Sequence, residues 1–153
     1  MTTIRKQLRP TSRLVAKVSD GLGALNPVDK PRIDVAIKTR FDDSIDVDAA
    51  FLEELPNENR WDYLLGDSVS KKVVGLEPHS ARQDEVSRVI AKKTKALEQL
   101  RAHWKAGSPV AAWFWVASGD VHFPDTDRNA KRLAEHNITF VGRQLKAKHF
   151  KKL

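Results

Sequence analysis

Residues 61–80 read WDYLLGDSVSKKVVGLEPHS, and the reading of this stretch decides the fold. Trp61 to Leu65 is a short aromatic and aliphatic run of the kind that fills a strand. Gly66, Asp67 and Ser68 supply turn chemistry. Lys72 to His79 is a second run, with β-branched Val73 and Val74 inside it and Pro78 and Ser80 closing it. Two such runs around one turn predict an antiparallel hairpin.

Downstream, Val86, Ile90, Leu97, Leu100 and Trp104 recur at three-and-four spacing, which predicts a helix from about Gln83 to Trp104 with one apolar stripe. Gly107, Ser108 and Pro109 end it. Val110 to Ser118 contains Trp113, Phe114 and Trp115 in succession, so both faces are apolar, as in a strand covered on both sides. Asp125 or Thr126 is placed to cap a helix running to about His136, and Ile138 to Gly142 reads as the last strand.

Upstream, Ile33, Val35 and Ile37 alternate with polar neighbours, which predicts a half-exposed strand. Asp46 or Asp48 can cap a short helix through about Leu55, stopped by Pro56. Strands separated by helices predict an α/β domain over residues 32–145, with a mixed central sheet, an antiparallel hairpin and helices on both faces. Residues 1–31 read as a basic arm followed by a linker containing Gly21, Gly23, Pro27 and Pro31. Residues 146–153 read as a basic tail.

At 153 residues and 17.3 kDa the chain has room for one core. It has no cysteine, which removes disulfides, thiolate metal sites and thiol nucleophiles together. No apolar run has the length of a membrane span, and the N-terminus lacks the apolar centre of a secretory signal, so the cytoplasm is the expected compartment. The net charge of +7 is unevenly spread. Residues 1–19 carry Arg5, Lys6, Arg9, Arg13 and Lys17 with no acid, and residues 142–153 carry Arg143, Lys146, Lys148, Lys151 and Lys152 with no acid. Residues 20–60 hold ten acids against five bases. Basic ends attract a phosphate backbone by counterion release, so a nucleic acid, DNA before RNA, is the expected large partner. A homodimer is a further expectation.

The sequence has no phosphate-binding glycine loop, no dinucleotide fingerprint and no zinc-helix histidine pair. One constellation remains. Asp62 opens the first hairpin strand, and Glu77 and His79 lie two apart near the end of the second, on one face. Glu53 and Glu54 sit on the helix just before. A few convergent carboxylates suit Mg²⁺ or Mn²⁺, which complete their coordination with water and substrate phosphate. A second group, Ser118, Gly119, Asp120, His122, Asp125 and Asp127, reads better as turn and cap residues. His103, His136 and His149 read as structural, Trp113 and Trp115 as core, and Trp61, beside Arg60, as a surface for base stacking.

The order of these elements resembles the PD-(D/E)XK nuclease superfamily over roughly residues 47–118. In that family an Asp on one hairpin strand is followed by Glu-x-Lys on the next, then by a helix packed on the sheet. Asp62 in Trp61-Asp62-Tyr63 and Glu77-Pro78-His79 match those motifs here. The resemblance implies a metal-dependent nuclease, with Asp62, Glu77 and Glu54 as metal ligands or auxiliary acid. Two departures accompany it: His79 stands where the family has lysine, and only two strands are evident before the helix where the family has three. The lysine orients or activates the attacking water. His79, or Lys93 from the long helix, is expected in that role. Two other readings stand beside this one: a non-catalytic nucleic-acid-binding or assembly protein of the same fold, and an interaction module that docks a partner on the acidic segment 42–58.

Overall fold

The computed structural model of the chain describes residues 1–121 and 127–153, with the backbone alone at Asp127. Among the described residues, six strands hydrogen-bond in their order along the chain: β1 (Ser19–Asp20), β2 (Phe41–Asp46), β3 (Tyr63–Asp67), β4 (Lys72–Ala81), β5 (Val110–Val121) and β6 (Ile138–Phe140). The pairs from β1 to β4 are antiparallel. β5 joins β4 in parallel, and β6 joins β5 in parallel. Parallel neighbours need crossovers, and α3 (Val86–Leu100) and α4 (Asp127–Glu135) provide them. The sheet is therefore mixed, with the expected hairpin at its centre.

Alternation along the strands sorts the core into two layers. On one face Ile45, Leu64, Val73, Trp113 and Trp115 pack against α3, α4, α1 (Thr3–Gln7) and α2 (Val47–Leu52). On the other, Tyr63, Leu65, Val74, Leu76, Phe114 and Val116 are covered by short 3₁₀ turns carrying Ile37 and Phe150, together with Leu25 and Ile33. Helical segments cover both faces, α-helices one and 3₁₀ turns the other.

The stretch 33–37 is not a strand. Ile33 and Ile37 are buried while Val35 is 78% exposed, a separation that period two forbids. Asp34 caps a 3₁₀ turn over Val35–Arg40 by accepting from the Ala36 N–H. The strand that the pattern misses is β2, whose sequence FDDSID hides it behind three acids. Two of those acids are tied to the N-terminal segment. The Asp43 carboxylate accepts the N–H groups of Ile4, at 2.9 and 3.0 Å, and of Arg5, at 3.2 Å. Asp42 accepts the N–H and hydroxyl of Thr3. These are the orphan donors of the first turn of α1.

Both basic ends consequently belong to the domain, against the arm-and-tail expectation. Ile4, Leu8 and Leu14 are buried in the helical-face core. Arg5 reaches Asp20 and the Val18 carbonyl, Arg9 the Trp104 carbonyl, and Arg13 the Ala50 carbonyl and Glu54. At the other end Phe150 is buried between Phe41 and Phe114, with the Arg40 guanidinium 4.2 Å from its ring centroid. Of the cations expected to meet nucleic acid, Arg5 is half-buried, and Lys6, Arg9, Arg13, Lys17, Lys146, Lys148, Lys151 and Lys152 are exposed, Arg9 and Arg13 while making their carbonyl bonds.

Trp61 is also reassigned. It is fully buried, meets Trp113 edge to face at 5.0 Å and donates its indole N–H to the Tyr63 carbonyl, so it is core and unavailable for base stacking. Gly75 leaves the space for that aromatic pair. A Cβ there would lie 2.7 Å from a Trp113 ring carbon and 3.0 Å from the Trp61 indole nitrogen. Gly75→Ala is expected to cost about 1–3 kcal/mol through overpacking. A denaturant midpoint lowered at unchanged slope would show it, and an unchanged midpoint would refute it.

Candidate functional site

The pairing of Tyr63 with Leu76 in the β3–β4 ladder places Asp62 opposite Glu77 one step further on, where the Asp62 N–H donates to Glu77 Oε1 at 2.9 Å. Strand register alone therefore brings the two carboxylates together. Lys92 arrives from α3. Its ammonium hydrogen-bonds Glu77 Oε2 and lies 3.8 Å from Asp62 Oδ1, so one cation sits between both acids. His79 follows Glu77 on the same face, with Nδ1 3.4 Å from Glu77 Oε2 and Nε2 2.8 Å from Glu85 Oε2. The Trp115 indole N–H donates to the His79 carbonyl and fixes this end of β4. The Glu77 side chain is fully buried, whereas that of Asp62 is 28% exposed and forms the rim.

Burial, and then the negative charge of Glu77, push the Asp62 carboxyl up to about 7, with Lys92 partly offsetting them. His79 is shifted upward, first by its hydrogen bond to Glu77 and against its own burial, with Glu85 adding to the effect. Burial opposes the Lys92 charge, but Glu77 and Asp62 outweigh it and the ammonium is held above its ordinary range. The site thus keeps Lys92 charged and favours an imidazolium at His79. An imidazolium has no free lone pair, which does not suit the base role expected of His79.

For Asp62 the sign follows from its raised value. The folded carboxyl keeps its proton to about pH 7 and the unfolded one only to about 4, so ionising it costs stability across that window. In the metal-free protein an NMR titration of the Asp62 carboxyl carbon is expected to have its midpoint near 7. Glu77→Gln should lower that midpoint by removing the like charge. A wild-type midpoint near 4 would contradict this account.

Two expected members lie elsewhere. Lys93 donates to the His136 carbonyl and stands over the Trp113 ring at 5.8 Å. The buried side of α3 is Val86, Val89, Ala96 and Leu100, while Leu97 is 38% exposed. The helix is therefore rotated from the stripe that the sequence suggests, and the neighbouring lysine meets the carboxylates. Glu54 pairs with Arg13 at 2.8 Å, away from an auxiliary role. The acids that act on Asp62 from this side are Asp48 of α2 and Asp46 at the end of β2, brought near by the Val47 N–H bond to the Asp62 carbonyl at 2.8 Å. Asp46 also caps α2 through the Ala49 N–H, and Asp48 pairs with Arg60. Their capping role was the only signal they gave in sequence.

In the second cluster Asp120 forms an exposed pair with Arg143. His122, Asp125 and the capping position at Asp125 or Thr126 lie outside the described residues, as does the Asp127 side chain.

Among the described residues no group of three or more His, Cys, Asp or Glu side chains is arranged to hold a metal ion. The donor set at this site is two carboxylates. That fits a hard divalent ion of the Mg²⁺ type, which takes one or two protein carboxylates and completes its coordination with water and substrate phosphate, and it excludes a closed protein cage. Comparisons of the chain with protein-family models, with curated proteins and with solved structures return no match.

Proposed function

We propose that the protein is a metal-dependent nuclease that hydrolyses phosphodiester bonds, with DNA as substrate, on the plan that its sequence motifs resemble in PD-(D/E)XK enzymes. One observation carries the reading: Asp62, Glu77 and Lys92 converge on one point at the rim of the sheet. Both departures from the motif pattern acquire a structural counterpart. β2 is a third antiparallel strand ahead of α3, and Lys92 of α3 supplies a lysine where His79 replaces the motif's own.

Asp62 and Glu77 would hold Mg²⁺ or Mn²⁺, and the bound ion would lower the pKa of water and neutralise charge building on the phosphodiester. Glu77, buried and gripped by the Asp62 N–H, presents a fixed oxygen. Lys92 has three N–H donors, and those not used on the acids are free to orient a water or a phosphate oxygen. It acts as a charge and a donor, since its acidic neighbours keep it protonated. His79, tied between Glu77 and Glu85, is a positioning residue that holds the second Glu77 oxygen in place.

The test is cleavage of plasmid and linear DNA by the purified chain. Activity is expected with Mg²⁺ or Mn²⁺ and none in chelator. Wild-type protein that binds DNA or RNA yet cuts neither with either ion would move the assignment to a binding or assembly protein of this fold. The acidic segment 42–58 gives an interaction module little support, because all of its acids but the exposed Glu53 have partners within the chain: Asp42 and Asp43 in α1, Asp46 in the Ala49 N–H, Asp48 in Arg60, Glu54 in Arg13 and Glu58 in Lys95.

A further inference from the structure

We propose that a cationic notch at the C-terminal end of α3, separate from the carboxylate site, binds a backbone phosphate of nucleic acid. The notch encloses about 450 Å³ and is lined by Arg9, Arg101, Lys105, Leu97, Trp104 and the Gly107 turn, with no acidic residue in its wall. That volume lies in the range of small-ligand sites, roughly 300–1,000 Å³.

Three bonds join the N-terminal segment to the chain after α3 and hold the walls in place. The Arg9 N–H donates to the His103 carbonyl, the Lys105 N–H donates to the Gln7 carbonyl, and Arg9 Nε donates to the Trp104 carbonyl, each at 2.8 Å. Arg9 is thus held with its terminal guanidinium nitrogens left over for a ligand, which is the planar, forked donor set that phosphate oxygens match. Arg101 and Lys105 make no ion pair among the described residues. Elsewhere Arg5, Arg13, Arg32, Arg40, Arg60 and Lys92 all have carboxylate partners.

The negative end of the α3 dipole accounts for part of this clustering, but it amounts to only about half an elementary charge and does not offset three cations. An anionic ligand is the missing complement, and in a chain of net charge +7 a polyanion is its natural source. Trp104 is buried and forms the floor of the notch, so the recognition is of charge rather than of bases. Arg101 lies nine residues after Lys92, about 13 Å along the helix axis, so the bound phosphate is another one than that at the carboxylates.

This inference rests on a nucleic-acid ligand but not on its cleavage, and its test is run in chelator. Binding of a DNA duplex is measured against salt concentration for the wild type, for R101Q/K105Q and for K71Q/K72Q, which removes the same charge from exposed positions at the turn between β3 and β4. The first variant should reduce the steepness of log K against log salt by about 0.9, the worth of one lost phosphate contact. The control should change it by less than half as much, and free inorganic phosphate should compete only weakly. A wild type that does not bind the duplex at low salt, an unchanged slope in R101Q/K105Q, or an equal change in the control would each overturn the proposal. All four side chains are exposed, and matching thermal melts will show that the fold is unaffected.

Discussion

Glu77→Gln is expected to lower metal-dependent DNA cleavage on the order of 10³-fold, which corresponds to about 4 kcal/mol of transition-state stabilisation. The glutamine keeps the shape of the side chain and can still accept the Asp62 N–H through its oxygen. It loses the charge that a divalent ion needs and turns a donor toward the Lys92 ammonium, which would then move to Asp62, already 3.8 Å away. The fold should survive, because Asp62 and Lys92 still satisfy each other. Lys92→Met should also be severe, at about 10²–10³-fold, whereas Lys93→Met should stay within about threefold of wild type, since Lys93 meets His136 and Trp113 instead. Equal losses in the two lysine variants, or a Glu77→Gln enzyme with normal rates, would remove the site from the chemistry. In the metal-free protein the Asp62 carboxyl is pushed up to about 7, so a step in activity there would report its ionisation for metal binding as readily as a histidine base.

The lysine assignment shows what the sequence could and could not tell. The hairpin, the long helix and the aromatic strand are legible because their apolar residues repeat at the period of the element, and Asp62, Glu77 and His79 follow from that register. The choice between Lys92 and Lys93 depends on the rotation of α3. Val89 and Ala96 occupy the buried side, where Ile90 and Leu97 offer the larger side chains to a reader of the sequence. Small residues give a weak apolar signal yet permit the closest packing, so the stripe is misjudged by one position. β2 is hidden for a different reason. Its buried polar groups, Asp43 and Ser44, are satisfied by backbone N–H groups of distant segments, Ile4 and Ala24, and no local pattern records a partner twenty or more residues away.

The N-terminal segment carries the last prediction. Read as charge alone, residues 1–19 form an arm whose deletion would weaken binding and leave the domain standing. Their placement in the fold implies the reverse. Ile4, Leu8 and Leu14 are buried to 1% exposure or less, and burying such side chains contributes roughly 1.5–3 kcal/mol each. Removing all three would cost roughly 4.5–9 kcal/mol, against a typical domain stability of about 5–15 kcal/mol. Deletion would also strip the buried Asp43 carboxylate of the Ile4 and Arg5 N–H groups, leaving it unsatisfied in the core. The truncated chain is expected to lack a cooperative thermal transition. Ile4→Ala, which leaves every charge in place, should destabilise the full chain by about 2–5 kcal/mol. A truncated protein that melts cooperatively near the wild-type temperature would show that the segment is dispensable after all. The part of nucleic-acid binding that belongs to this end is therefore better measured by neutralising exposed cations such as Lys6 and Lys17 in the intact chain.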